Sequence, residues 1–201
     1  MLIFDQLFKR YPKLTVCSDT IGRATDVLEK AFRDQKKLLI AGNGGSAMDA
    51  GHIAAELLKS FRKTRALPKS VTEHLASKTA SQLEGALPAI SLPDFVSFHT
   101  AYANDRSAEY GFAQLVLALG QPGDVFWAIS TSGNSKNILH AIEVARAKSL
   151  TVIGLTGHFC GKMLASCDVC ICVPEEETYK VQELHLPVYH AICLELERRI
   201  F

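Results

Sequence analysis

The chain predicts an α/β fold, a parallel β-sheet flanked by helices on both faces, and three observations carry that expectation. Short apolar runs without polar alternation recur at 37–41, 89–92, 124–130, 151–155 and 169–173, as in parallel strands buried on both sides. Helical patterns with one apolar face separate them. Two of the runs end directly in turns of small residues that open a helix, Gly42 to Ser46 and Ser130 to Ser135, which is the strand–turn–helix part of a βαβ unit. The 201 residues suffice for a single domain with a full core.

Residues 1–35 read as helical: a short helix from Met1 to Arg10, a break at Tyr11-Pro12, then helical spacing from Leu14 to Phe32. Lys37 to Ala41 is the first strand. In the helix that follows its turn, Ala50, Ile53, Ala54, Leu57, Leu58 and Phe61 share one face, and Asp49, His52 and Glu56 the opposite one. Residues 62–88, basic at first and bounded by Pro68 and Pro88, read as an excursion from the core, a lid or interface element. After the 89–92 strand, Asp94 is placed to cap a helix to about Ala103, with Asn104-Asp105 in the turn at its end. A helix from Tyr110 to Leu119 stops at Gly120 and Pro122. The strand at 124–130 then leads through the second turn into a helix with Ile138, Leu139, Ile142 and Ala145 buried. Strands at 151–155 and 169–173 follow, and a long helix, apolar around much of its circumference, closes the chain from Thr178 to Arg199.

Composition narrows the partners. Lys plus Arg is 22 and Asp plus Glu is 21, so no charge excess calls for nucleic acid or an anionic membrane. No apolar run approaches the roughly 20 residues of a membrane span. Asp5 and Gln6 interrupt the N-terminal apolar segment, so a signal peptide is not expected and a cytoplasmic location is. Among six cysteines, Cys167, Cys170 and Cys172 have zinc-like spacing, but Cys170 and Cys172 fall inside a buried-strand pattern. The expectation is small apolar core thiols, reduced, with no disulfide.

In an open parallel sheet, ligands bind at the carboxyl ends of the strands, where both turns lie. Backbone N–H groups at a helix start attract anions. The hydroxyls of Ser130, Thr131, Ser132 and Ser135 add donors, making the second turn the better phosphate cradle. Neither turn fits Gly-x4-Gly-Lys-Ser/Thr or Gly-x-Gly-x-x-Gly, so a sugar phosphate or other small phosphate is favoured over a nucleotide. The acid–base candidates are Glu56, His52, His185 and His190, with Asp105 and Gln182 as polar support. A carboxylate and an imidazole can together move a proton between adjacent carbons of a phosphosugar. A lone histidine in an apolar helix such as 178–199 is more ordinarily a core residue.

Taken together, Gly42-Asn-Gly-Gly-Ser46, Ala50-Gly-His-Ile-Ala-Ala-Glu56, Ala103-Asn-Asp105, Ile129-Ser-Thr-Ser-Gly-Asn-Ser135, Ile153-Gly-Leu-Thr-Gly157 and Val181-Gln-Glu-Leu-His185 through His190 resemble the sugar isomerase (SIS) domain family, and within it the phosphoheptose isomerases. The resemblance runs from about residue 38 to the C-terminal end. It implies a flavodoxin-like three-layer fold, a homotetramer, and isomerisation of sedoheptulose 7-phosphate to a glycero-manno-heptose 7-phosphate through an enediolate, in cell-surface heptose synthesis. By motif position it implies substrate contacts from Asn43, Gly44, Gly45, Ser46, Glu56, Asn104, Asp105, Ser130, Thr131, Ser132, Ser135 and Gln182. Glu56 would be the base and His190 the acid, and a zinc ion would be held by His52, Glu56, Gln182 and His190.

Gln182 and His190 stand eight residues apart, about 12 Å along a straight helix. Sharing one ion therefore requires near-collinearity, a kink at Pro187, a distorted first turn, or a ligand from another subunit. The chain departs from the family pattern at Gly51, where relatives carry Gln, at Glu177, near a position often held by Asp, and in the length of 62–88. The alternatives are a non-catalytic phosphosugar-binding regulator, which relatives lacking the Glu and His exemplify, and an isomerase of another phosphosugar.

Overall fold

The computed structural model describes residues 3–201. Met1 and Leu2, where the first expected helix begins, lie outside the described residues. Helix α1 runs Ile3–Arg10, and a 3-10 turn Pro12–Cys17 leads into α2, Ser18–Arg33. Then come β1 (Leu38–Ala41), α3 (Gly45–Leu58), the short helices α4 (Lys69–Thr72) and α5 (Ser77–Ala80), and β2 (Ala89–Ser91). They are followed by α6 (Val96–Asp105), α7 (Gly111–Leu119), β3 (Val125–Ile129), α8 (Lys136–Ala147), β4 (Thr151–Thr156), β5 (Val169–Cys172) and α9 (Thr178–Ile200).

The five strands form one all-parallel sheet in the order β2-β1-β3-β4-β5. The chain leaves β1 for β2 in one direction, then returns past β1 to β3 and continues outward. The loops after β1 and β3 diverge at that switch point, and a crevice opens between them at the carboxyl ends. Register places Ile40 beside Trp127 and Ala41 beside Ala128, so the two turns start level with each other.

Strand side chains alternate between two cores. Leu38, Ile40, Val125, Trp127, Ile129, Ile153 and Leu155 pack against α1, α2, α3 and α9. Leu39, Ala41, Phe126, Ala128 and Val152 pack against α7 and α8. This is the expected three-layer arrangement, and it explains why the strand sequences lack polar alternation.

The 62–88 excursion leaves and rejoins the core over one buried ion pair. The Arg65 guanidinium donates to Glu197 Oε1 at 2.9 Å, to the Leu57 carbonyl at 2.6 Å and to the Glu56 carbonyl at 2.9 Å. It thereby satisfies end carbonyls of α3 that have no partner within the helix. Glu197 accepts in addition the backbone N–H groups of Phe61, Arg62 and Lys63. Both side chains are buried, and because every charge is bonded the burial is tolerated.

Three expectations are corrected. Asp94 does not cap α6: it sits in a 3-10 turn, Leu92–Asp94, and the helix starts two residues on behind Phe95. Asn104 and Asp105 are the last residues of α6 rather than a turn after it. The cysteines are not uniformly buried thiols. Cys17 and Cys193 are, but Cys167 and Cys170 are half-buried, and Cys160 and Cys172 form a disulfide. The reason is that β5 packs its two cysteines toward a half-exposed face, across which the loop after β4 returns with Cys160.

Burial alone would raise Glu197, but its backbone and Arg65 bonds outweigh it, and the carboxyl ionises below the ordinary 4.5. A depressed folded-state value contributes stability above the unfolded value and loses it as pH falls. Glu197→Ala is therefore expected to cost about 3–5 kcal/mol near neutral pH, measured by denaturant unfolding. The gap from the parent should narrow below pH 4.5.

Candidate functional site

The turn after β1 is built on glycine. A Cβ at Gly42 would fall 2.3 Å from the Ser46 carbonyl, and Gly44 has φ +56°. The turn closes with the Ser46 N–H donating to the Asn43 carbonyl at 3.0 Å, which buries Ser46 and leaves Asn43 and Gly44 exposed. In the turn after β3, the Ser130 and Ser135 hydroxyls lie 2.9 Å apart, and the Asn134 N–H donates to Ser132 Oγ. Gly133 has φ +65°. The loop after β4 braces this turn from behind: Gly157 N–H donates to Thr131 O, Met163 N–H to Gly133 O, and Lys162 N–H to Asn134 Oδ1. The turn's shape is thus set by a neighbouring loop, while the Lys136 and Asn137 N–H groups that open α8 have no intrahelical acceptor and the Ile138 N–H donates to Asn137 Oδ1 at 3.0 Å.

Asn137 in α8 joins the two turns. Its carboxamide and that of Asn43 pair reciprocally at 3.0 and 2.8 Å. Asn43 and Asn137 line both a cavity of about 320 Å³ that includes Gly44 and His99, and an adjoining one of about 420 Å³ that includes Ser135, Lys136 and Glu109. Asn104 and Asp105 line neither; they are exposed and bonded to each other at 2.9 Å.

The acid–base group lies further along α3. His52 Nε2 is 3.4 Å from Glu56 Oε1 and 3.4 Å from His190 Nε2. The polar face of α3 is therefore only partly solvated and meets α9, with the His52 side chain 42% exposed. Glu56 is nearly buried, with Lys59 Nζ 3.1 Å from its other oxygen. Burial, together with neighbouring His52, holds His190 below the ordinary imidazole range, against the pull of Glu56. His185 is elsewhere: it is fully buried, and burial pushes it down to about 4, so it stays neutral and unavailable for proton transfer.

Three of the four expected metal ligands are thus brought together. Donors bound near 2.0–2.1 Å around a tetrahedral ion stand about 3.3–3.4 Å apart, which the two His52 contacts match, and imidazole and carboxylate suit zinc. The third edge is not closed: among the described residues no group of three His, Cys, Asp or Glu encloses a metal position. Gln182 lies against Gly45 at the head of α3, where a Cβ would come 2.5 Å from its Nε2. Because α9 is continuous through Pro187, Gln182 stays about two turns from His190.

Two residues of this site escaped the sequence reading. Asn137 carried no signal beyond its place just inside a helix. Tyr189, buried, reads as core, yet its hydroxyl contacts His52 Nδ1 at 3.0 Å and Asp49 Oδ1 at 3.2 Å.

A doubly wound sheet with two anion-ready turns at its switch point defines an α/β ligand-binding domain. The chain belongs to the SIS domain family, whose model matches residues 13–157. It is 41% identical over 181 residues to a phosphoheptose isomerase of Rhodospirillum rubrum, covering 90% of this chain and 86% of that one. Identity to a phosphoheptose isomerase of Helicobacter hepaticus is 39%, over 94% of this chain and 87% of the relative. The solved phosphoheptose isomerase of Neisseria gonorrhoeae superposes with a TM-score of 0.78 at 31% identity, covering 97% of this chain and 95% of that one.

Gly133→Ala tests the seating of the second turn. The new Cβ would lie 2.0 Å from the Cys160 carbonyl, and a left-handed backbone costs a non-glycine residue about 1–2 kcal/mol before any clash. The variant is expected to lose more than that in denaturant unfolding and to be cut faster by protease in the 157–163 loop. A variant as stable as the parent would show that the two loops are not in register.

Proposed function

We propose that this chain is a phosphoheptose isomerase, interconverting sedoheptulose 7-phosphate and a glycero-manno-heptose 7-phosphate. The observation that carries the reading is the convergence of Glu56 and His190 on His52, along the helix that the glycine turn opens. His52 lies seven residues from Gly45, about 10 Å along α3. In this reading the phosphate sits at the Ser130–Ser135 turn and the reacting carbons lie toward Glu56. The cradle donors are Ser130, Thr131, Ser132, Ser135 and the α8 N–H groups, which hold the phosphate dianion. Asn43, Gly44, Gly45 and Ser46 shape the sugar side, with Gln182 behind them.

Aldose–ketose isomerisation moves one proton between adjacent carbons and one between their oxygens. Glu56 takes the carbon-bound proton and returns it to the neighbouring carbon. His190, largely neutral, donates an N–H hydrogen bond to the oxygen that gains charge in the enediolate. His52, Glu56 and His190 would hold a zinc ion, which when bound supplies Lewis-acid polarisation of the carbonyl; Gln182, about two turns away on α9, lies too far along the helix to join them.

The active form is proposed to be a cytoplasmic homotetramer. No helix among the described residues is long and apolar enough to cross a membrane. Met48 and Leu58 on α3 and Leu186 on α9 are exposed beside the site, where a second copy would cover them.

Turnover of sedoheptulose 7-phosphate, set against pentose and hexose phosphates, tests the reading. Glu56→Gln is expected to lower kcat by about 10²–10⁴-fold while ligand still binds in calorimetry. Binding without turnover by the parent would instead mark a phosphosugar-binding regulator, and preference for a shorter sugar a different isomerase.

A further inference from the structure

The back of His52 is held as closely as its front. Tyr189 and His190 are neighbours on α9, and they reach the same imidazole from two sides. His190 Nε2 meets His52 Nε2 at 3.4 Å, while the Tyr189 hydroxyl meets His52 Nδ1 at 3.0 Å. The Tyr189 ring packs edge-on to both imidazoles, with centroids 5.5 Å from His52 and 4.9 Å from His190. Its hydroxyl is also 3.2 Å from Asp49 Oδ1, one turn before His52 on α3. Tyr189 is 1% exposed and Asp49 Oδ2 is buried without a partner, so the hydroxyl end of these bonds is shielded, while the His52 ring keeps a solvent-facing side.

With Asp49 ionised, which burial opposes by raising its pKa from the ordinary 3.8 and the Tyr189 hydrogen bond favours, hydrogen counting gives the direction of the chain. A tyrosine hydroxyl has one proton to give, and a carboxylate can only accept. The Tyr189 O–H therefore donates to Asp49, and its oxygen accepts from His52 Nδ1–H. His52 then carries its proton on Nδ1, and Nε2 presents a lone pair. Glu56 Oε1 lies 3.4 Å from that lone pair and is itself an acceptor, and His190 Nε2, 3.4 Å away on the other side, is then the donor of the contact with His52.

We infer that Tyr189, oriented by Asp49, is a positioning residue that locks His52 in the Nδ1-protonated tautomer, so that Nε2 faces the gap between Glu56 and His190. The inference rests on the proposed role of that gap as the reacting and metal-holding centre. Outer partners that orient a ligating histidine are worth about 10–100-fold in metal affinity.

The test is Tyr189→Phe, which removes one oxygen and keeps the ring packing. The ¹⁵N shifts of His52, assigned by loss of its signals in His52→Gln, report the tautomer directly. The parent should show Nδ1 protonated and Nε2 pyridine-like, and Tyr189→Phe should show a mixture shifted toward Nε2–H. Asp49→Ala, which takes away the acceptor, should give the same shift and serves if the first variant folds poorly. An Nε2–H tautomer in the parent would overturn the inference, and so would an unchanged Nδ1–H tautomer in the folded variants. Titration with Zn²⁺ alone against a chromophoric chelator should show binding weakened about 10–100-fold in both variants. A parent that binds no Zn²⁺ refutes the metal reading of the gap while the tautomer measurement still decides the role of Tyr189.

Discussion

A parallel strand can be reached only by a crossover, and a right-handed crossover can lie on only one face for a given direction of travel. In the order β2-β1-β3-β4-β5 the chain travels one way to reach β2 and the other way to reach β3 and beyond. So α3 must lie on one face and α8 on the other, and the turns that start them must part at the carboxyl ends of β1 and β3. The crevice is a consequence of handedness before any side chain is considered. Glycine at Gly42 and Gly133 then lets the backbones pass closely enough to aim N–H groups into it, and the Asn43–Asn137 amide pair bridges it.

The second layer of organisation is the α3–α9 contact. Most of the apolar side of α3 faces the core, with Leu58 the exception, and the polar side is partly covered by α9. Arg65 and Glu197 bind the end of α3 to the end of α9, and the Tyr189, His190 and His52 contacts join them midway. This partial cover turns a sequence pattern typical of a solvated helix face into a group of coupled polar side chains with little freedom to reorient.

The five strands and most helices were legible because parallel strands buried on both faces must be apolar throughout, and because glycine and proline mark the turns. The place of the Ser130–Ser135 turn between β3 and α8 was legible for the same reason. What was not legible depends on packing between distant segments. Nothing in the sequence said that Tyr189 points its hydroxyl at α3 rather than at solvent, or that Asn137 meets Asn43 across ninety-four positions. The Cys160–Cys172 bridge was missed because compartment reasoning argued against any disulfide, while the return of the loop after β4 across β5 is a tertiary fact. The separation of Gln182 from His190, by contrast, followed from helix rise alone.

Helix α9 also governs when the centre comes into being. It packs on α1, α2 and α3, the earliest helices of the chain, and supplies one side of the acid–base group. A ribosome would release β1 to β4, with the turns after β1 and β3, well before α9 emerges. Contacts spanning nearly the whole sequence slow folding, and until α9 docks the apolar faces of the first three helices stay open to misassembly. The turns after β1 and β3 are therefore synthesised before the helix that completes the His52 cluster, which takes shape only when the two ends of the chain meet.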